Sequence, residues 1–297
     1  MKKKNLITTA GIAAAFIAMI AGGCQKEDNK YMTNSSTSDS QQLYDNSIAD
    51  ASFDDAGNVA DEGVTGSLST YRISDEEKIQ TTCARVDLDL LASPHVAVID
   101  FGATDCLCRD GNYRRGKIIV SWNGDYSVQG SSHSITFNNY YLNFNKITGT
   151  KTVTNSGRNA AGMLTYSIHV NGSVMVDPQY SQTGVSGTIN YNADRVRTWI
   201  EGENSPFNRR DDVYNITGTA NGTSIDGLAW SSSIDANNPL RKEIGFPHFT
   251  RGIVTVTTTG DAASNSTIDY SYLDGNRDNL ARVTSGGHTY TIKLGMK

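Results

Sequence analysis

The sequence predicts an all-β fold: a single antiparallel domain of about a dozen hairpin-connected strands, arranged as a barrel, a sandwich or a large curved sheet. Three observations predict it. From Thr81 onward apolar residues recur at every second position, as where Val86, Leu88 and Leu90 alternate with Arg85, Asp87 and Asp89. Turn signals punctuate these runs, with Asn-Gly at Asn123-Gly124, Asn171-Gly172 and Asn221-Gly222 and Gly-Gly at Gly286-Gly287. Helical patterning is nearly missing; Ser74-Asp75-Glu76-Glu77 reads as the capping box of one short helix ending near Gln80.

The chain starts with a different kind of segment. Lys2, Lys3 and Lys4 precede an apolar run from Leu6 to Ile20 and then small residues, the order of a signal peptide over 1–23. The apolar run falls short of the ~20 residues that a membrane span requires. Ile20-Ala21-Gly22-Gly23-Cys24 resembles a bacterial lipobox, with Ala21 where leucine is usual. The resemblance implies cleavage before Cys24 and acylation of its thiol, which ties the chain to the lipid bilayer without a transmembrane helix. Each acyl chain adds about 0.8 kcal/mol per buried methylene, so two or more give a stable anchor. Gln25-Lys26-Glu27-Asp28 resembles the short acidic export signal of surface-exposed lipoproteins of the Bacteroidetes type. That implies an outer-membrane, cell-surface location, with the periplasmic face as the alternative.

Removing Lys2, Lys3 and Lys4 leaves 23 basic against 31 acidic residues, a net charge of 23 − 31 = −8. Such a balance disfavours nucleic acid and anionic surfaces as partners. Residues 24–66 are polar, with Asn34 to Gln42, Asp54-Asp55 and Asp61-Glu62, and read as the lipidated N-terminus and a disordered acidic tether. The β domain then spans 67–297, with strands from about 81.

Its first predicted hairpin joins Val86–Leu90 to Val96–Ile99 through Ala92-Ser93-Pro94 and carries Cys83 toward Cys106. A disulfide from Cys83 to Cys106, or to Cys108 if a bulge intervenes, is expected in an oxidising compartment. At Gly286-Gly287 a two-residue loop pairs Val283 with Tyr290 and Ala281 with Ile292 on one face. The Asn-Gly sites need an odd loop to keep apolar residues together, because a slip of one residue exchanges the faces. A three-residue loop with left-handed glycine pairs Val120 with Tyr126, and Ile168 with Val174; at Asn221-Gly222 it sets Tyr214 against Leu228 but Ile216 against Asp226. Further strands are expected at 135–144, 147–154, 187–191, 195–199, 252–258 and 267–272. The first of these changes apolar parity between Phe137 and Tyr140, which predicts a bulge at Asn138-Asn139.

Motifs of chemistry are sparse. The five histidines have no ligand spacing, and neither a nucleophile elbow nor a phosphate loop is present. Asp274, Asn276 and Asp278 alternate as calcium ligands do, without the glycine and glutamate of a complete loop; Asp110-Gly111-Asn112 is a shorter echo. Asp211, Asp212, Asp226, Glu201 and Glu203 offer carboxylates of the kind a glycosidase sets in a cleft. Trp122, Trp199 and Trp230 are candidates for a stacking platform for a glycan. The leading expectation is a non-enzymatic, outer-membrane-anchored lipoprotein presenting a β-rich domain to a ligand or partner, such as a glycan or an envelope protein. The alternatives are a lipid or lipoprotein carrier built as a half-open barrel, a carbohydrate-active hydrolase, and a structural envelope protein.

Overall fold

A computed structural model describes residues 37–68, 78, 80–124, 128–179, 184–205, 208–246, 248–259, 265–271 and 279–294. Its core is a sheet wrapped around a helix. The helix α1 (Thr37–Leu68) comes first. The strands follow as β1 (Arg85–Asp89), β2 (His95–Asp100), β3 (Cys106–Leu107), β4 (Tyr113–Trp122), β5 (Ser132–Leu142), β6 (Asn145–Arg158), β7 (Leu164–Val176), β8 (Gly187–Glu201), β9 (Val213–Thr223), β10 (Ala229–Ile234), β11 (Leu240–Glu243), β12 (Ile253–Thr258), β13 (Asn265–Asp269), β14 (Leu280–Ser285) and β15 (His288–Lys293). All pair antiparallel in one 15-stranded sheet, in the order β1-β2-β4-β5-β6-β7-β8-β9-β10-β12-β13-β14-β15. β3 adds to β4, and β10 and β11 share β9. The path runs from β1 to β15 with no ladder joining the two among the described residues, so the sheet is not closed.

The alternation read from the sequence decides which face turns inward. Ile99, Ile118, Ile135, Ile147, Val174 and Ile189 are each fully buried on successive strands, and the outward positions between them carry mostly threonine, serine and asparagine. Several local expectations hold. β1 pairs with β2 with Val86 opposite Ile99, and Cys83 is bonded to Cys106, with Cα atoms 6.3 Å apart, while Cys108 is free and buried. β14 and β15 turn at Gly286-Gly287, with Val283 opposite Tyr290 and Ala281 opposite Ile292. The ladder of β5 with β6 shifts between Thr136 and Tyr141, and Asn139 has φ +47°, so the bulge lies where the parity changed.

Two expectations are corrected. Residues 37–66, read as part of a disordered tether, belong to α1, which is buried on almost every side. And the Asn-Gly pairs do not make three tight hairpins. At Asn123-Gly124 the glycine is left-handed (φ +71°), but β5 resumes only at Ser132, with His133 opposite Trp122. Asn171-Gly172 and Asn221-Gly222 lie inside β7 and β9, which run straight through them. Each glycine is there because something sits against it. A Cβ at 172 would lie 2.5 Å from the Phe53 ring of α1 and 2.5 Å from the Thr148 carbonyl; one at 222 would lie 2.8 Å from the Trp230 indole. Gly172→Ala is therefore expected to cost about 1–3 kcal/mol, the usual penalty for overpacking a filled core, in the midpoint of urea unfolding. No loss of stability would mean that Phe53 does not seat against β7. The capping box at Ser74 to Glu77 lies outside the described residues.

Candidate functional site

α1 carries seven acidic side chains and no basic one. Buried carboxylates need partners, and the inner face of the sheet supplies them. Along β8 the inward parity runs Ile189, Tyr191, Ala193, Arg195, Arg197, so two guanidinium groups point at the helix. Arg195 donates to both Asp50 oxygens at 2.8 and 3.0 Å, and Arg197 donates to Asp61 at 2.9 Å. Arg114 of β4, with no exposed surface, binds Asp55 on one side and Asp110 on the other. Lys242 lies 3.5 Å from Asp54. Lys151 donates to the Phe53 carbonyl at 2.7 Å, and burial lowers its pKa to about 8. Glu62 accepts from the amides of Gln80 and Thr81 and from the Thr81 hydroxyl.

Asp45 is buried with only neutral hydrogen-bond donors among the described residues. It accepts from the Ser224 hydroxyl, from the Ile225 amide at 2.9 Å and from Gln41 at 2.7 Å. Burial outweighs these bonds and lifts its pKa to about 6. A carboxyl whose folded pKa is raised favours the fold below its unfolded value of ~3.9 and loses that contribution as pH rises through about 6. Asp45→Asn keeps the acceptor for Ser224 and Ile225, and a turn of the Gln41 amide meets the new NH2. We expect it to raise stability by about 1–3 kcal/mol at pH 7.5 and not at pH 4, read as melting temperature across that range. A pH-independent effect would refute the assignment.

Where β5 meets β6 the sheet leaves α1 partly uncovered and a cleft of about 80 Å³ opens. One stripe of the helix, Tyr44, Ile48, Ala51 and Asp55, forms its floor at the i, i+4, i+7, i+11 spacing of a single face. The rim on one side is the turn Asn143-Phe144, left-handed at both residues (φ +50° and +68°) and linking Leu142 directly to Asn145. Asn143 is fixed there: its Oδ1 accepts from the Tyr113 amide and its Nδ2 donates to Asn112 Oδ1, both at 2.8 Å. The opposite wall comes from the far end of the chain, with Phe249 against Tyr270 edge to face at 5.6 Å, and Leu294 beside them. His248 also lines the cleft; burial, with Lys242 nearby, pushes its pKa down to about 4, so the imidazole is neutral at physiological pH.

Of the predicted site residues that are described, Asn112 lines the cleft and the others lie elsewhere. Cys24 and the trio Asp274, Asn276 and Asp278 lie outside the described residues. Trp122 and Trp230 are core residues, 5 % and 3 % exposed, and Trp199 is half-buried against Tyr214 at 5.5 Å. They therefore do not form the exposed platform expected of them. Asp110-Gly111-Asn112 is a turn whose carboxylate serves Arg114 and the Asn112 amide. Glu201 and Glu203 pair with Arg241 and Arg158, Asp226 accepts the Leu228 amide, Asp211 accepts the Ser205 hydroxyl, and Asp212 accepts the Tyr214 hydroxyl. Among the described residues no group of three or more His, Cys, Asp or Glu side chains is placed to hold a metal ion. The chain matches no known protein family, curated protein or solved structure.

Proposed function

We propose that this is a lipid-anchored protein of the outer membrane, held by acylated Cys24, whose β domain is a non-enzymatic binding module with the cleft over α1 as its ligand site. The observation that carries this reading is the composition of the cleft. It pairs apolar and aromatic walls with a few amide groups and one imidazole, the make-up of small-ligand sites. The filled concave side weighs against the carrier alternative, because α1 occupies the volume that cargo would take. Two further voids between helix and sheet measure about 30 Å³ each, room for a water or two.

Two measurements test the reading. An alkyne fatty acid fed to expressing cells should label the chain, and Cys24→Ser should abolish the label. A fragment library screened by ligand-observed NMR should yield binders whose signal is lost in Ala51→Trp, which fills the cleft from its floor. Labelling that persists without Cys24 removes the anchor, and fragments indifferent to Ala51→Trp remove the site.

A further inference from the structure

We propose that the cleft takes one neutral sugar ring, the terminal unit of an uncharged glycan. This rests on the preceding reading that the cleft is a ligand site and adds the chemistry of the ligand.

The charges around the cleft are already matched. The carboxylate of Asp55 is bound by buried Arg114. Lys242, behind His248, is held by Asp54 and by the Phe246 carbonyl at 2.8 Å. An ionic ligand would shed its hydration and meet no counter-charge, a loss of several kcal/mol. A wholly apolar ligand fails for the opposite reason. Asn145 accepts the Asp177 amide on its Oδ1 at 3.3 Å, and neither its NH2 nor the neutral His248 ring has a hydrogen-bond partner among the described residues. A hydrocarbon would strip water from both groups and return nothing.

What remains is a ligand with an apolar face and an uncharged polar edge. A pyranose has both. Its axial C–H bonds pack on an aromatic ring, and its hydroxyls both donate and accept. Phe249, Tyr270 and Tyr44, at most 7 % exposed, offer the ring edges that reach the cleft, and the amide of Asn145 with the imidazole of His248 provides a donor and a donor-or-acceptor. The volume of about 80 Å³ suits one ring standing part-way out of the mouth, with the rest of the chain outside. The rim is held by the Asn112–Asn143 bond and the disulfide-tethered β3–β4 region, so little ordering is needed on binding.

The test is saturation-transfer NMR on the full chain with methyl glucoside, methyl galactoside, methyl mannoside and N-acetylglucosamine, against glucuronate and hexanoate as ionic and aliphatic controls. At least one neutral pyranoside is expected to saturate at millimolar concentration. Its affinity should fall tenfold or more in Ala51→Trp and in Asn145→Asp, which keeps the acceptor but loses the donors, with the melting transition of each variant retained. Binding of hexanoate or glucuronate alone, lost in Ala51→Trp, would leave the ligand site standing and overturn the sugar. Sugar binding unchanged in both variants would overturn it as well, by placing the sugar elsewhere. No binding by any probe would overturn this inference, while the fragment screen decides the site itself.

Discussion

A chain lacking Thr37–Leu68 is expected to lose its cooperative unfolding transition altogether. The segment is the middle of the core. Leu43, Ala49, Phe53, Ala56, Val59 and Ala60 are each at most 2 % exposed and pack on the inner face of the sheet. Without them that face, with an aliphatic side chain on nearly every strand, would meet water, and Arg114, Arg195 and Arg197 would lose their carboxylates together. A curved single sheet with one uncovered apolar face is not a stable domain. The truncated chain should bind a hydrophobic dye, elute early on gel filtration and melt without a transition. A sharp urea transition with the parent midpoint would show that the sheet closes its own core.

The complementary experiment concerns the helix alone. Its serines, aspartates, asparagines and glycines are poor helix formers, so a peptide of residues 37–68 is expected to be unstructured by circular dichroism. Both halves then fold only together. The helix exists because the sheet offers cations where it offers anions, and the sheet curls because the helix fills it.

This mutual dependence explains what the sequence disclosed. Features decided by neighbours in the chain were legible: the β1–β2 hairpin and its Cys83–Cys106 bond, the Gly286-Gly287 turn, and the bulge at Asn138-Asn139. α1 was not, because its composition is that of a disordered tether and its helicity comes from partners distant in the chain, such as Arg114 for Asp55 and Arg195 for Asp50. One signal did exist. Arg195 and Arg197 share the parity of Ile189, Tyr191 and Ala193, and basic residues on an apolar parity ask for buried acids. The glycines of Asn171-Gly172 and Asn221-Gly222 misled for a related reason: dipeptides that signal turns were selected for the space a missing Cβ leaves to Phe53 and Trp230. The cleft was beyond reach, since Tyr44, Asn143 and Tyr270 meet only once the sheet has curled.

The largest single-residue effect is expected at Arg114. Its guanidinium is fully buried between Asp55 and Asp110, with the Gln80 carbonyl at 3.4 Å as a further acceptor. Burial alone would raise Asp110, but the bonds from Arg114 outweigh it and hold its pKa low; at Asp55 burial prevails and the pKa is raised. Arg114→Met keeps the length of the side chain and removes the charge. Two carboxylates are then left facing each other in the core, and stripping one partner from a buried ion pair costs about 3–5 kcal/mol. The sign with pH follows. In the variant both carboxyl groups have raised pKa values, so their penalty is full above those values and fades as they take up protons on acidification. The deficit relative to the parent chain should therefore shrink from pH 7.5 to pH 5. Converting Asp55 and Asp110 to Asn in the same chain should recover most of the loss at neutral pH, because an unpaired buried charge is what destabilises, not the missing pair. A deficit under 1 kcal/mol, or one that stays level with pH, would mean that water reaches these carboxylates and that the junction of α1 with β4 is held by packing and not by charge.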